Sequence, residues 1–385
     1  MNLAAAPRRG RHAAVKCTVA ILVAVLVVAV IELGLRCLWS APTWLDASLD
    51  ASMFAIRGDG LALQAGLRGT LPSVPGAVAI NALGMRGLEI VAKLPGERRL
   101  LLLGDELVWG EGVSTAATLP SCLERCLRTA GAAVLVGNGG VPGFGSTHLA
   151  PHLARLDAAF APDVIVLVGS LGSDTFDDLE PQRTVFAGRL LQGSLALAAT
   201  ASWRARLALQ SRTWLWLEAW SAGSVAREDL ASSWLLPLPT VATEHPFAVE
   251  RATAGVFLDR LDGGVGLVAA ITLRSSLQEV QRQAGFRPVV FVVLPSRSHV
   301  IESERVAVLR QHGLVPAHFE RGHGQRLWMD VAKELGIVAF DATPILAVEA
   351  DPASLFQAAG RLLSAKGHAV VATWLASELS TVMAK

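Results

Sequence analysis

The stretch RRLLLLGDELVWGEGV, Arg98–Val113, decides the fold class of this 385-residue chain. Its apolar run, Leu100–Leu103, has the length and composition of a strand that is buried on both faces of a sheet. The run ends in Gly104-Asp105, and Glu106 is then expected to point from the strand end into solvent. Sites in parallel sheets form at the carboxyl ends of the strands. The residues directly after each strand are therefore the candidates for function.

Strand patterns and helix patterns alternate along the rest of the chain. Four more short apolar runs predict strands, namely AAVLVGN (132–138), PDVIVLVGS (162–170), RPVVFVVLP (287–295) and GIVAFDAT (336–343). Amphipathic helix patterns occupy TLPSCLERCLRTAG (118–131), THLAPHLARLDAAF (147–160) and the last 21 residues before Lys385. This alternation predicts an α/β fold, a three-layer parallel sheet with helices on both faces.

The N-terminus has the pattern of a membrane anchor. Four cations precede an uncharged run, Cys17–Ile31; they are Arg8, Arg9, Arg11 and Lys16. Glu32 and Arg36 follow four residues apart, so they can pair on one helix face. With that pair at the interface the helix extends to Trp39, which is about the 20 residues that a bilayer needs. The basic flank predicts a cytoplasmic N-terminus and an exported remainder.

Two other interpretations of this segment are less favourable. A cleaved signal peptide would have to be cut at WSA, where Pro42 follows and Trp39 is bulky. A lipoprotein signal would use Cys37, but Arg36 stands where a small residue is needed. The predicted layout is a cytoplasmic basic segment at 1–16, a transmembrane anchor at 17–39, a linker at 40–75 and one domain at 76–385.

Composition excludes some classes of function. Hydrophobic residues make up 52% of the chain and charged residues 17%, which favours a membrane segment. The formal charge of +1 gives no reason to expect a nucleic-acid partner. The four cysteines lack metal-ligand spacing, so neither a metal nor a cofactor is expected.

A Trp-rich insertion is expected at about 179–286. Most of its tryptophans fall within ASWRARLALQSRTWLWLEAWSAG (201–223), a helical pattern; they are Trp203, Trp214, Trp216 and Trp220, with Trp234 beyond. The tryptophans either form an aromatic surface for a glycan or a membrane, or pack on the core of the domain.

From about Ile80 to the C-terminus the chain resembles the SGNH (GDSL-type) hydrolases, and among them the bacterial membrane-anchored members. INALGMRGLE (80–89) resembles the lead-in that those proteins carry. Four motif blocks follow in order: LLLGDELVWGEGV (101–113), VGNGGVPGFGS (136–146), PDVIVLVGSLGSD (162–174) and LFQAAGRLLSAKGHAVVA (355–372). The resemblance implies an SGNH-like, flavodoxin-like fold. It also implies ester hydrolysis or acyl transfer by serine, histidine and aspartate, with an oxyanion held by a backbone N–H, a glycine and an asparagine.

The residues that the resemblance assigns to this chemistry are mostly replaced. Glu106 stands at the nucleophile serine and Ser173 at the oxyanion asparagine. Leu362 stands at the catalytic histidine, six residues before His368, which matches a structural histidine of the family. Gly140 alone is retained as an oxyanion donor.

The aspartate position is lost as well, because Ala359 or Gly360 occupies it. Whether the chain is an enzyme is therefore open. Glu106 itself has three interpretations: a carboxylate that caps the start of a helix, a ligand-binding group or a new catalyst. The binding-cleft candidates are Asp105, Glu106, Asn138, Gly140, Ser173, Asp174 and Arg361.

Two other places offer a relocated nucleophile and base. Ser146 and His148 follow the second block, and Ser298 and His299 follow the fourth strand with Ser296 beside them. Both sets are also typical of helix caps and turns.

The favoured function is a non-catalytic, SGNH-like protein of the bacterial cell envelope. It would be a single-pass protein of the cytoplasmic membrane with its C-terminal domain exported, and it would bind a polysaccharide or an envelope protein. The alternative is an active esterase or O-acyltransferase that acts on acylated envelope polysaccharide with a rearranged site. A third interpretation is a purely structural subunit of an envelope assembly.

Overall fold

A computed structural model describes residues 9–38, 49–57, 60–71, 74–179, 183–186, 189–192, 196, 199, 202–221, 256–260, 264–311, 313–358 and 362–383. The chain divides into two compact units. The first comprises residues 1–51 and 182–241, and the second comprises residues 52–181 and 242–385.

The described strands, in chain order, are β1 Leu49–Asp50, β2 Phe54–Arg57, β3 Gly60–Leu63, β4 Arg68–Thr70, β5 Ala77–Ala79, β6 Arg98–Gly104, β7 Val134–Gly140, β8 Val164–Ser170, β9 Arg183–Phe186, β10 Arg189–Gln192, β11 Val289–Leu294 and β12 Val338–Asp341.

The described helices are α1 Arg9–Leu38, α2 Glu106–Trp109, α3 Leu119–Thr129, α4 Leu149–Phe160, α5 Asp174–Leu179, α6 Trp203–Gln210, α7 Arg212–Ser221, α8 Gly264–Ala284, α9 Arg297–Val300, α10 Glu302–Gln311, α11 His323–Glu334, α12 Thr343–Ala347 and α13 Ala365–Met383.

The second unit is built on a five-stranded parallel sheet in the order β12-β11-β8-β6-β7. Counted along the chain from β6, this is the order 2-1-3-4-5 of flavodoxin-like sheets, in which the direction of winding reverses between the first and third strands. Those strands are β6 and β8 here. The predicted α/β fold with a parallel sheet is confirmed.

Alternation along the strands produces two cores, one on each face of the sheet. Leu100, Leu102 and Val166 pack with α3 and α13 on one face. Leu101, Leu103 and Ile165 pack with α4, α8 and α11 on the other. Every one of these side chains is fully buried. The continuous apolar runs in the sequence are therefore explained by helices on both faces, as the prediction of three layers requires.

Parts of two predicted segments, the linker and the insertion, are folded into the second unit. The predicted linker at 40–75 contains the antiparallel hairpin of β2 and β3, with Leu61 and Leu63 buried, so this part is folded. The predicted insertion at 179–286 includes α8, yet Leu273, Leu277 and Val280 of α8 lie in the core beside the sheet. Helix α8 belongs to the crossover from β8 to β11, and its apolar positions repeat every three or four residues because they face the sheet.

The first unit contains α1, the antiparallel sheet β1-β10-β9, and the helices α6 and α7. Within α1, Val15–Leu38 is long and apolar enough to cross a membrane, with a mean hydropathy of 2.8, and its side chains are largely exposed. The predicted pair of Glu32 and Arg36 is present, at 2.8 Å between Oε1 and Nε. The expectations that concern Trp39, Pro42 and Trp234 lie outside the described residues.

Candidate functional site

The end of β6 carries Asp105 and Glu106 at the start of α2. Asp105 is fully buried, and its Oδ1 accepts a hydrogen bond of 2.8 Å from the backbone N–H of Leu107, so it caps this short helix. Glu106 is half-buried, and its Oε2 accepts a bond of 3.2 Å from the N–H of Gly143 in the second block. The carboxylate at the expected nucleophile position therefore holds a neighbouring loop.

The end of β7 carries Asn138 and Gly140, both buried. The N–H of Gly140 donates to Asn138 Oδ1 at 3.1 Å, and Asn138 Nδ2 donates to the Trp109 carbonyl at 3.4 Å. The N–H group at the expected glycine-donor position is thus paired inside the protein. A Cβ at Gly140 would lie 2.1 Å from the Trp109 nitrogen, so α2 packs directly on this strand end and only glycine fits.

The end of β8 carries Ser170, Ser173 and Asp174, all buried. Ser173 Oγ donates to Asp105 Oδ2 at 2.8 Å and lies 2.9 Å from Ser170 Oγ. The N–H of Ser170 donates to Asp174 Oδ2 at 3.0 Å, while Asp174 Oδ1 is buried with no hydrogen-bond partner. The side chain at the expected oxyanion-asparagine position is therefore directed into a buried network with Asp105.

This network contains two carboxyl groups in a place that disfavours charge. Desolvation raises the pKa of Asp105 well above its usual range, with the nearby charge of Glu106 adding to the effect. Desolvation likewise raises the pKa of Asp174, and the charge of Asp105 contributes. Among the described residues, no group of three or more His, Cys, Asp or Glu side chains is placed to hold a metal ion. Burial therefore favours the protonated form of each of the two carboxyl groups.

We expect Asp174→Asn to stabilise the chain increasingly as the pH rises from 4 to 8. The raised pKa means that folded Asp174 keeps its proton at pH values where the unfolded chain has released it. The stability that protonated Asp174 contributes is fully present below the pKa that this group has in the unfolded chain. It is lost as the pH rises through the higher pKa of Asp174 in the folded chain. Asparagine resembles the protonated acid and does not titrate. Urea unfolding of the full-length chain in detergent, at a series of pH values, measures the difference.

The exposed Asp351→Asn variant is the control for this experiment, and it should run parallel to the unmodified protein. An Asp174→Asn curve that is also parallel to the unmodified protein at all pH values would show that Asp174 is ionised in the folded chain.

Gln357, in the last motif block (355–372), contacts the first motif block (101–113). Its Nε2 donates to the Glu111 carbonyl at 2.7 Å and to the Leu363 carbonyl at 3.0 Å. Leu362, at the expected catalytic-histidine position, is half-buried and packs against the core on the α3 and α13 face. The expectations that concern Ala359, Gly360 and Arg361 lie outside the described residues.

His368 is buried near the start of α13. Desolvation, with the charge of Arg86 adding to it, lowers the pKa of His368 to about 4. The imidazole is therefore neutral at pH 7 and packed inside the domain, as the structural histidine of the resembled family would be.

The motif blocks meet at one edge of the sheet. The ends of β7, β6 and β8 are adjacent, with Gly104 in register with Gly140 and Ser173 bonded to Asp105. Gln357 brings the last block to the loop after α2. The domain has an SGNH-hydrolase-like fold. Glu106, Gly140 and Ser173, which the resemblance assigns to the nucleophile and two oxyanion donors, follow or end three adjacent strands of this sheet.

No family model matches the chain, and no curated protein matches it. Solved structures that are similar include a lipase/acylhydrolase from Enterococcus faecalis, at 14% identity and a TM-score of 0.38, covering 73% of this chain and 95% of that one. Est24, a carbohydrate acetylesterase from Sinorhizobium meliloti, has 11% identity and a TM-score of 0.36, covering 74% and 99%. The esterase EstA from Pseudoalteromonas sp. has 8% identity and a TM-score of 0.39, covering 75% and 100%. Likeness at this level says nothing about the activity of this chain.

Sequence reasoning missed a supporting residue of the SGNH-like site, Arg86. Its buried guanidinium donates to the carbonyls of Trp109, Gly110 and Val113 at 2.7–2.9 Å, and it lies 4.9 Å from the centre of the Trp109 ring. Arg86 therefore holds the end of α2 and the glycine loop after it. The only signal in the sequence was its place within the lead-in INALGMRGLE.

The first of the two proposed serine–histidine sets is not arranged as a pair. Ser146 Oγ donates to Asp178 at 2.7 Å, whereas His148 Nδ1 accepts from the N–H of Gly145 at 3.1 Å. Each side chain is directed to a different structural partner.

The second set does contain a close contact. Ser296 Oγ lies 2.7 Å from His299 Nδ1, which also accepts from the Ser296 N–H at 3.2 Å. Ser296 is the N-cap of α9 and is only 1% exposed. This geometry is a capping box, in which the two side chains close the first turn of the helix.

A cavity of about 410 Å³ lies beside His299, at the carboxyl ends of β11 and β12. Its lining mixes charged and amide groups with apolar surface, including Arg326, Asp330, Gln325 and Met329. Sequence reasoning placed the cleft two strands away, at β6, because the motif residues lie there.

Proposed function

We propose that this chain is a membrane-anchored, SGNH-like protein of the bacterial cell envelope that does not catalyse acyl transfer and acts by binding. The observation that carries the proposal is the hydrogen bond between Glu106 and the Gly143 N–H, since a carboxylate stands where a nucleophile is required. The 24-residue apolar helix in α1 supports the anchor.

The groups at three other described positions of the expected acyl-transfer site support this proposal. The Gly140 N–H is paired with Asn138, and the Ser173 hydroxyl is paired with Asp105. Leu362 has no atom that can accept a proton. Loss of a nucleophile or base costs on the order of 10⁶ in rate in serine hydrolases.

The cavity beside His299 supports binding. Its volume of about 410 Å³ suits one or two sugar units, and its mixture of Arg, Asp, Gln and apolar side chains is the kind that hydrogen-bonds and packs against a sugar. We assign a glycan of the envelope to it as the ligand class.

We expect the full-length chain in detergent to hydrolyse nitrophenyl acetate no faster than its Glu106→Ala variant. Glu106→Ser alone should restore nothing, because Leu362 cannot activate the new hydroxyl.

The same samples should bind O-acetylated polysaccharide fragments. The affinity should be about tenfold weaker for Arg326→Ala, which removes a hydrogen-bonding cation from the cavity. The exposed Arg310→Ala is the matched control.

The contact between Ser296 and His299 favours the second candidate, an esterase with a moved nucleophile. A turnover rate well above background that disappears in Ser296→Ala would establish that alternative and refute the non-catalytic proposal. A Ser298→Ala variant distinguishes the two neighbouring hydroxyls, which lie 3.0 Å apart.

A further inference from the structure

The anchor helix is joined to the Trp-rich helices through Glu32. Its carboxylate accepts three hydrogen bonds at the junction of α6 and α7: from Ser211 Oγ at 2.8 Å and from the backbone N–H groups of Arg212 and Thr213 at 2.9 Å each. Glu32 thus caps the start of α7 from another helix. Arg36 adds a bond of 2.8 Å to the Gln210 carbonyl.

These contacts lie where the uncharged part of the anchor ends. The uncharged run stops at Ile31, and Glu32 is the first ionisable group after it. Charged side chains on a spanning helix take positions at the headgroup level, because burying them in hydrocarbon is costly. Six residues separate Glu32 from the helix end at Leu38, or about 9 Å at 1.5 Å per residue. For an α1 that spans a membrane, the cost of burying Glu32 favours a position of the junction of α6 and α7 at the boundary between hydrocarbon and headgroups.

Helices α6 and α7 expose large apolar side chains beside this junction. Trp203 is 65% exposed, and Leu207, four residues on, shares its face. On α7, Trp216 and Leu217 are also exposed, at 40% and 42%. Tryptophan is the residue that collects at the membrane interface, since its ring is apolar and its N–H needs a polar partner.

We propose that α6 and α7 lie in the exported membrane interface and bind a lipid surface through these exposed side chains. The charge of the segment fits anionic headgroups, because residues 202–221 contain three arginines and one glutamate. This inference rests on the anchor in the proposed function, and it adds a second membrane contact to the first. The exposed tryptophans are then a lipid-facing surface.

The first test measures quenching of tryptophan fluorescence by brominated lipid. The full-length chain is placed in nanodiscs of phosphatidylcholine with phosphatidylglycerol, with and without bromine on the acyl chains. We expect Trp203→Phe/Trp216→Phe to lose about a third of the quenchable emission, because these rings lie among the lipids. Trp328→Phe, which removes a buried tryptophan of the domain core, should lose none.

The second test measures hydrogen exchange at the amides of Arg212 and Thr213. Glu32→Ala should speed their exchange about tenfold or more, since each loses a bond to a charged acceptor. The exposed Glu279→Ala should leave it unchanged. This variant reports on the junction without depending on fluorescence.

The outcomes separate this inference from the proposed function. Equal quenching in the double variant and the unmodified chain, with both still resistant to salt washing in membranes, would overturn the inference and leave the anchor. Tryptophan fluorescence that changes when a polysaccharide is added but is not quenched by brominated lipid would show that these tryptophans bind a glycan instead. Recovery of the unmodified chain in the soluble fraction would refute the anchor itself.

Discussion

Gly140→Ala should destabilise the SGNH-like domain by ~3 kcal/mol or more and lower its Tm by roughly 6–12 °C. The added Cβ would lie 2.1 Å from the Trp109 nitrogen and 2.6 Å from the Val108 carbonyl carbon. Both are backbone atoms, so relief requires α2 to move away from β7 and to break the bond between Gly140 and Asn138. Thermal unfolding of the full-length chain in detergent, followed by circular dichroism at 222 nm, measures the change.

Gly264→Ala is the matched control for this prediction. Its new Cβ meets no atom within 4 Å, and the residue lies at the start of α8, where alanine is tolerated. A change of 1 kcal/mol in the free energy of unfolding shifts the Tm by about 2–4 °C. If the Tm of Gly140→Ala lay within about 2 °C of the Tm of this control, α2 would not be packed on β7 as described.

Arg86→Ala should cost ~3 kcal/mol or more, because it leaves the buried carbonyls of Trp109, Gly110 and Val113 without donors. Burial lowers the pKa of Arg86 to about 10, so the side chain remains charged at neutral pH and contributes its full set of charge-assisted bonds. Arg86→Lys should recover only part of the loss, since an ammonium cannot reach three acceptors with the planar geometry of a guanidinium. Urea unfolding of the full-length chain is the measurement.

Arg68→Ala is the control for Arg86, because it removes an exposed arginine whose ion pair with Glu89 spans 3.8 Å. Exposed pairs of this kind contribute about 0–1 kcal/mol. Equal free energies of unfolding for Arg86→Ala and Arg68→Ala would show that the Arg86 guanidinium does not hold the loop after α2.

The parallel sheet and its two cores were predictable from the sequence. Runs such as Leu100–Leu103 have no polar face, and such runs separated by amphipathic helices suit a sheet covered on both sides. The convergence of Glu106, Gly140 and Ser173 was predictable for the same reason, because parallel strands place all their carboxyl ends at one edge. Boundaries were less predictable: the segment with Leu61 and Leu63 has loop-like composition, and α8 follows a region without strand signals.

What the sequence alone determined was which groups stand at the edge of the sheet, including Glu106 directly after the first strand of the parallel sheet. What only the tertiary structure decided was where the hydrogen bonds of those groups go. Ser173 was an expected cleft residue, and the structure directs its hydroxyl to Asp105. Arg86 gave no functional signal, yet it supports the loop after α2. Glu32 pairs with Arg36 by local spacing, but its three bonds to the start of α7 join residues about 180 positions apart. Local spacing specifies which residues share a helix face or a strand end. Partners that are distant along the chain are set by packing, because the buried donors and acceptors must be paired wherever the fold brings them together.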